Sequence, residues 1–194
     1  MKLVLVDFDG TITRRDTLFA FLRFNSRSGF YLTGFILFTP LFASAALGWI
    51  DPGVVKEKWL SFFLKGRSRD EIENMGRAFC YGPLKKILRI EMMQRIQVYK
   101  TEGAEVCVAS ASCDAWVLPF CIEHNLSCIC TELEYDHQGH FTGKFRTVNC
   151  RREEKKRRIE EKYRFDSFER TIAFGNSDDD LPMFSLVMET HMIK

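Results

Sequence analysis

The stretch of residues 2–11, KLVLVDFDGT, decides the fold of this chain. It begins with an apolar, β-branched run that stops at Asp7, and such a run is typical of a strand buried on both faces of a parallel sheet. Gly10 permits the chain to curl after the strand, so that Asp7 and Asp9 can serve one site. An ionised Asp7 is then a candidate nucleophile. The alternative is a turn in which the two carboxylates only cap the following backbone.

Two further apolar runs predict strands of the same sheet. Residues 105–109 (EVCVA) stop at Ser110, and residues 171–174 (TIAF) stop at Gly175 and an acidic cluster. Residues 84–100 have the apolar spacing of a helix, and residues 153–162 form a strongly charged helical segment. This alternation predicts an α/β fold with a Rossmann-like, doubly wound parallel sheet. Ligands of such sheets bind at the carboxyl ends of the strands, where all three runs end in polar residues.

Length, charge and cysteine content narrow the class of protein. The chain has 194 residues, and 28 Lys and Arg against 26 Asp and Glu give a net charge of +2. This balance argues against a nucleic-acid partner. The seven cysteines are odd in number and include no CxxC pair, which disfavours a disulfide framework or a zinc site of the usual spacing and indicates a reducing, cytoplasmic interior. Acidic residues begin at Asp7, too early for a secretory signal peptide.

The spacing of the strands predicts an insertion. Residues 16–81 lie between the first and second strands and are far more than one crossover needs. We therefore expect a core domain formed by residues 1–15 and 82–194, with a helical cap subdomain at residues 16–81. Residues 131–145 (TELEYDHQGHFTGKF) predict a β-hairpin with a glycine-containing turn.

One part of the predicted cap carries no charge. Residues 28–50 are uncharged, which reaches the length of a membrane-spanning helix, but Pro40 lies in the middle. One interpretation is two short helices that meet at Pro40 and pack as a buried or half-exposed hairpin. The other is a segment that contacts a membrane surface or an apolar substrate.

Four motifs in order resemble those of the haloacid dehalogenase superfamily of hydrolases. The first is DFDGT at residues 7–11, the second is Ser110 in VASAS, and the third is Lys155 in NCRREEKKRRI. The fourth is GNSDDDLPM at residues 175–183. The chain is most similar to the branch that includes the phosphoserine phosphatases, in which a helical cap follows the first motif.

The resemblance implies a role for each motif. Asp7 would attack phosphorus, Asp9 would act as general acid and base, and Ser110 and Lys155 would bind and neutralise the phosphoryl group. The phosphate site would be completed by three residues that lie next to these in the sequence, Gly10, Thr11 and Ala111. A Mg²⁺ ion would be held by Asp7, by the backbone carbonyl of Asp9 and by a residue of the fourth motif, Asn176 or Asp180.

The sequence departs from the branch at one position and leaves several choices open. Asn176 stands where the phosphoserine phosphatases have an aspartate, so that Asp178, Asp179 or Asp180 could replace it as a metal ligand. Ser112 competes with Ser110 for the second motif, although it could instead cap the next helix. Lys156 competes with Lys155, and only one of two adjacent helical residues can face the site.

These features predict a Mg²⁺-dependent phosphatase that hydrolyses a phosphorylated small molecule. The alternative is a lipid-phosphate phosphatase, because the uncharged segment resembles the apolar stretch of membrane-bound phosphatidylglycerophosphate phosphatases of this branch. A third reading, a catalytically weak phosphate-binding regulator, follows from Asn176. We expect a cytoplasmic protein, peripheral to the inner face of a membrane if the cap contacts lipid.

Overall fold

A computed structural model describes all 194 residues and contains one five-stranded parallel sheet. Its strands are β1 (Lys2–Val6), β2 (Glu105–Cys113), β3 (Ser127–Thr131), β6 (Arg170–Gly175) and β7 (Glu189–Met192), in the order β3-β2-β1-β6-β7. The three strands predicted from the sequence are its centre, and the predicted α/β fold with a doubly wound parallel sheet is confirmed. Two edge strands, β3 and β7, were not predicted.

The two faces of the sheet bury different apolar clusters. Val4 and Val6 of β1 face the larger cluster, whereas Leu3 and Leu5 face a smaller cluster that contains Ile159. This alternation follows from the period of two residues along a strand. Helices cover both faces: α5 (Ile90–Thr101), α6 (Asp114–His124), α7 (Glu153–Lys162) and the short α8 (Leu181–Phe184). All seven cysteines are free thiols, and six of them are buried.

Of the five helices that lie between β1 and β2 in the sequence, the first four precede α5, and we call these four the inserted helices. They are α1 (Thr17–Asn25), α2 (Ser28–Ala46), α3 (Pro52–Leu64) and α4 (Arg69–Tyr81). Polar side chains cap three of them: the carboxylate of Asp16 accepts from Leu18 N at 2.8 Å, Asp51 caps α3, and Ser68 forms a capping box with Glu71.

The predicted hairpin is formed by β4 (Leu133–Tyr135) and β5 (Phe141–Phe145), which pair antiparallel. Its first predicted residue, Thr131, instead ends β3 of the main sheet. The hairpin packs on α3, where Phe145 N donates to Glu57 Oε2 at 2.9 Å. It therefore connects the core sheet to the inserted helices.

Helix α2 is continuous through Pro40, so the prediction of two short helices is wrong. Proline removes one backbone donor, but packing on both sides of it holds the helix together. Tyr31, Phe38 and Phe42 all contact Trp59 of α3, with ring centroids 6.1, 5.1 and 5.2 Å away. These residues form one stripe of α2, and the opposite face is exposed.

The segment of residues 84–100 is not one helix, which corrects a second prediction. A 3₁₀ turn, Pro83–Ile87, ends before α5 begins at Ile90. The chain between them pairs with the loop after β1: Arg14 N donates to Ile87 O at 2.8 Å, and Arg89 N donates to Ile12 O at 2.8 Å. These bonds to the first-motif loop interrupt the helix.

Candidate active site

The register of the sheet brings the predicted motifs to one edge. Val6 pairs with Val108 on one side and with Phe174 on the other. The residues that follow these positions therefore lie at similar heights along the three strands. Asp7, Ser110 and Gly175 lie at the carboxyl ends of three adjacent strands, as ligand sites in such sheets require.

A buried ion-pair cluster lies at the centre of this edge. Lys155 Nζ donates to Asp7 Oδ1 at 2.8 Å and to Asp180 Oδ1 at 2.7 Å. The side chain of Lys155 is only 3% exposed, and those of both aspartates are below 10%. The neighbouring Lys156 forms no such contact, so α7 turns Lys155 toward the site.

Burial and mutual charge shift the protonation of this cluster. Burial raises the pKa of Asp7 to about 6, although the Lys155 ammonium opposes the shift. Burial lowers the pKa of Lys155, but the two carboxylates outweigh it and hold that pKa above its usual range. Lys155 is therefore a permanent cation beside the candidate nucleophile.

Both oxygens of Asp180 are engaged within the protein. Oδ1 accepts from Lys155, and Oδ2 accepts from Asn176 N at 3.0 Å and from Ser177 N at 3.3 Å. This carboxylate fixes the lysine and the loop after β6 at the same time. Of the predicted metal ligands, Asp180 has the fewest free lone pairs.

Asp9 lies beside the cluster and is held by a separate set of donors. Its Oδ1 accepts from Thr17 N at 2.7 Å and from Thr17 Oγ1 at 2.6 Å, and its Oδ2 accepts from Ser112 Oγ. Trp116 Nε1 donates to Thr17 Oγ1 at 2.8 Å and fixes that hydroxyl. Burial, together with the nearby Asp16 carboxylate, raises the pKa of Asp9. Three donors thus hold the carboxylate of Asp9 in one orientation.

The two candidate serines of the second motif have different surroundings. Ser110 is 1% exposed, and its Oγ accepts from Ser112 N at 2.9 Å. Ser112 does not cap α6, because it donates to Asp9 instead. The carbonyl of Ala111 between them accepts from Lys56 Nζ of α3 and, at 2.7 Å, from Thr131 Oγ1.

A pocket of about 240 Å³ opens beside Asp9 between the core and the inserted helices. Its core side carries Asp9, Ala111 and Ser112, and Lys56 and Arg151 also reach it. The opposite wall is apolar and comes from three inserted helices: Leu18, Phe19, Phe42, Ala45 and Val55. A substrate in this pocket would meet polar groups at one end and apolar side chains at the other.

The residues of the first and fourth motifs supply oxygen atoms suited to Mg²⁺. The Asn176 side chain lies against Gly10, in the space that a β-carbon at residue 10 would occupy, and Gly10 has a φ of +81°. The amide nitrogen of Asn176 lies nearest to that position and the amide oxygen lies 3.2 Å from it, so the oxygen is also beside the loop that carries Asp7 and Asp9. Mg²⁺ binds through one or two carboxylates and keeps waters or substrate oxygens, so this set fits it. No group of three His, Cys, Asp or Glu side chains is arranged as a cage for a metal.

The other acidic residues of the fourth motif face different partners. Asp178 is exposed, and Asp179 forms ion pairs with Arg151 and, at 2.7 Å, with Arg152. Thr11 of the first motif is buried, and its Oγ1 donates to Asp7 Oδ2 at 3.1 Å.

Four residues at the site were not singled out in the sequence. Thr17 orients Asp9, Lys56 and Asn149 line the pocket, and Arg89 donates to Gly10 O at 3.2 Å. No local signal marks Lys56 or Asn149, because tertiary packing alone brings them to the pocket. Thr17 could have been predicted from the sequence, because it begins the first helix after the first motif.

The molecule thus combines a parallel α/β sheet with a buried Asp–Lys–Asp cluster at the carboxyl edge of that sheet. The chain matches the family described as haloacid dehalogenase-like hydrolase over residues 4–185. It therefore belongs to this family, and the prediction of a hydrolytic enzyme of this superfamily is confirmed.

Individual relatives agree with this assignment. The chain is 29% identical over 191 residues to protein CicA of Caulobacter vibrioides. The aligned region covers 96% of this chain and 83% of that protein. Its fold is similar to a protein of unknown function from Bordetella pertussis Tohama I, with a TM-score of 0.86, 19% identity and coverage of 97% and 88% of the two chains. A phospho-aspartyl intermediate analogue of phosphoserine phosphatase has a TM-score of 0.68, 22% identity and coverage of 97% and 84%. The predicted likeness to phosphoserine phosphatase is confirmed for the fold.

Proposed function

We propose that this chain is a Mg²⁺-dependent phosphatase that hydrolyses a phosphomonoester through an aspartyl-phosphate intermediate. The observation that carries the proposal is the buried Asp7–Lys155–Asp180 cluster with Asp9 beside it. A nucleophilic carboxylate, a fixed cation and a carboxyl group with a raised pKa are the three groups that this chemistry needs.

In the first step, a carboxylate oxygen of Asp7 forms a bond to phosphorus while the bond from phosphorus to the leaving-group oxygen breaks. Asp9 gives its proton to that oxygen. In the second step, Asp9 takes a proton from water, the water oxygen bonds to phosphorus, and Asp7 is released with inorganic phosphate. Lys155 and the donors around Ser110 and Ala111 offset the phosphoryl charge. Bound Mg²⁺, held by Asp7, the Asp9 carbonyl and Asn176, would supply further charge stabilisation.

The test is turnover of an aryl phosphate by wild type and by Asp7→Asn. We expect the variant to lose several orders of magnitude in kcat, because the nucleophile is removed. Asp166→Asn is the matched control, since it is the same change at an exposed position away from the site. Near-normal turnover by folded Asp7→Asn would refute the mechanism.

A lipid phosphate is the second candidate substrate. The observation in its favour is that α2, whose outer face is apolar and exposed, also contributes Phe42 and Ala45 to the active-site pocket. An acyl chain could pass from that pocket along α2 into a membrane. The enzyme would then work at the inner face of a membrane instead of in the bulk cytoplasm. Turnover of phosphatidylglycerophosphate, phosphoserine and a sugar phosphate under the same conditions separates the two candidates.

A further inference from the structure

A second cavity lies outside the active-site pocket, between α2, α3 and β5, and has a volume of about 540 Å³. One wall is apolar and is formed by Leu37, Phe38, Leu41 and Phe62. The other wall carries three lysines: Lys58, Lys65 and Lys144. We call this cavity the lysine groove.

The positive charge of the lysine groove is not compensated within the protein. None of Lys58, Lys65 and Lys144 forms an ion pair, and all three are exposed. The one acidic residue in the lining is Glu57, whose carboxylate accepts from Phe145 N at 2.9 Å. The groove therefore presents a net positive charge next to an apolar surface.

The walls of the groove are fixed by close packing. Gly143 has a φ of +90°, and a side chain there would collide with Ser61 of α3. Gly66 N also donates to Phe141 O at 2.9 Å, which ties the end of α3 to β5. The backbone next to Lys65 and Lys144 is consequently held against the neighbouring element.

The apolar wall continues onto the exposed face of α2. Leu32, Ile36 and Leu37 are 58–64% exposed, and Trp49 beyond the end of the helix is 77% exposed. The helix has 19 residues, and its most apolar 18-residue stretch has a mean hydropathy of 1.5 and is only 6% buried. At 1.5 Å per residue it is about 28 Å long. The lysines lie on β5 and on α3 or directly after it, not on α2, so this surface combines an apolar helix with neighbouring positive charge. Apolar burial and attraction to anionic lipids are the two terms that hold a helix in a membrane interface.

We propose that the lysine groove binds the headgroups of anionic phospholipids while α2 lies in the membrane interface. The lysines would contact the headgroup phosphates, and Leu37, Phe38 and Leu41 would contact the glycerol backbone and the first acyl carbons. If the ligand were a free phosphorylated metabolite instead, the apolar wall of the groove would remain exposed to water. The proposal deepens the membrane contact suggested above for α2 and rests on it, but it does not require that the substrate be a lipid.

The test is flotation of the full chain with vesicles of phosphatidylcholine alone or mixed with an equal amount of phosphatidylglycerol. We expect wild type to prefer the anionic vesicles, and the triple variant Lys58→Gln/Lys65→Gln/Lys144→Gln to lose that preference. Each lysine near an anionic surface contributes about five-fold in affinity, so the loss is on the order of a hundred-fold. Inorganic phosphate at the concentration of the lipid phosphate should not release wild type.

The matched control is Lys86→Gln/Lys162→Gln/Lys194→Gln, which removes the same charge from exposed lysines of the core. It should keep the anionic preference. The proposal is wrong if the groove variant retains the preference, or if the control loses it equally. It is also wrong if Ile36→Asp dissociates a dimer, because a second copy would then cover α2. Aryl phosphate turnover without vesicles should be unchanged in both triple variants. If wild type itself does not hydrolyse the aryl phosphate, the phosphatase proposal is refuted, but the proposed binding of anionic lipids is not.

Discussion

Replacing Lys155 with methionine tests the electrostatic cluster at the centre of the site. Methionine has a similar volume but no charge, so Asp7 and Asp180 would remain buried without the ammonium 2.8 and 2.7 Å away. Removing one partner of a buried ion pair costs about 3–5 kcal/mol. For a domain of this size each kcal/mol lowers Tm by about 2–4 °C, so we expect a decrease of about 6–20 °C at neutral pH.

The loss of stability in Lys155→Met should depend on pH, and the direction of this dependence follows from the pKa of Asp7. Burial already raises the pKa of this carboxyl to about 6 in the folded wild type, and removal of Lys155 raises it further. A group whose folded pKa lies above its unfolded value of about 3.9 destabilises the fold as pH rises through the folded pKa. The difference in unfolding free energy between wild type and variant should therefore be largest near pH 7 and shrink toward pH 4.

The assay is urea unfolding of Lys155→Met and Lys156→Met across that pH range. Lys156 is the adjacent lysine of α7 and contacts neither carboxylate, so its variant should stay within about 0.5 kcal/mol of wild type. The double variant Lys155→Met/Asp180→Asn should recover part of the loss, because one unpaired carboxylate is removed. A loss for Lys155→Met that is the same at pH 4 and pH 7 would refute the reasoning, since it would be a packing effect.

Four other changes test the site and its surroundings. Asp9→Asn should lower kcat for an aryl phosphate by about 10²–10⁴ through loss of proton transfer, while Ser112→Ala should weaken the same step less; equal kcat in wild type and Asp9→Asn would exclude Asp9 as general acid. Asn176→Asp should lower the Mg²⁺ concentration at half-maximal rate, and an unchanged value would show that Asn176 is not a ligand. Chelation of Mg²⁺ should abolish turnover without unfolding the protein, which circular dichroism would check. Burial raises the pKa of Asp114 to about 6, so wild type should lose stability as pH rises from about 4 to 6, and Asp114→Asn should flatten that part of the urea-midpoint profile.

The centre of the sheet could be predicted because its strands are buried on both faces. β1, β2 and β6 are apolar for most of their length, and each is followed by polar residues at the site. β7 (ETHM) and β3 (SCICT) are edge strands whose half-exposed, mixed residues carry no such signal. Their pairing with the centre is a tertiary effect that local patterns do not encode.

The residues of the candidate site likewise include some that sequence motifs predicted and others that only the tertiary structure reveals. Asp7 and Lys155 were predicted from motifs, and the fold brings their side chains together from positions 148 residues apart. Lys56 and Thr17 were not predicted as site residues, because their contribution depends on how α3 and α1 dock onto the strand ends. The same holds for α2, where the sequence showed Pro40 but not the aromatic packing on Trp59 that keeps the helix continuous.

The charge balance of the site explains how an asparagine at position 176 is compatible with the proposed chemistry. Asp7 and Asp180 together outweigh Lys155 by one negative charge, and a bound phosphomonoester adds about two more. Of the other cations in the pocket wall, Arg151 is paired with Asp179, and Lys56 donates to the carbonyl of Ala111. A carboxylate at position 176 would increase the excess, whereas Asn176 supplies an oxygen atom without adding charge. The cost is a weaker attraction for Mg²⁺, so an enzyme built this way should trade metal affinity for a smaller repulsion of its anionic substrate.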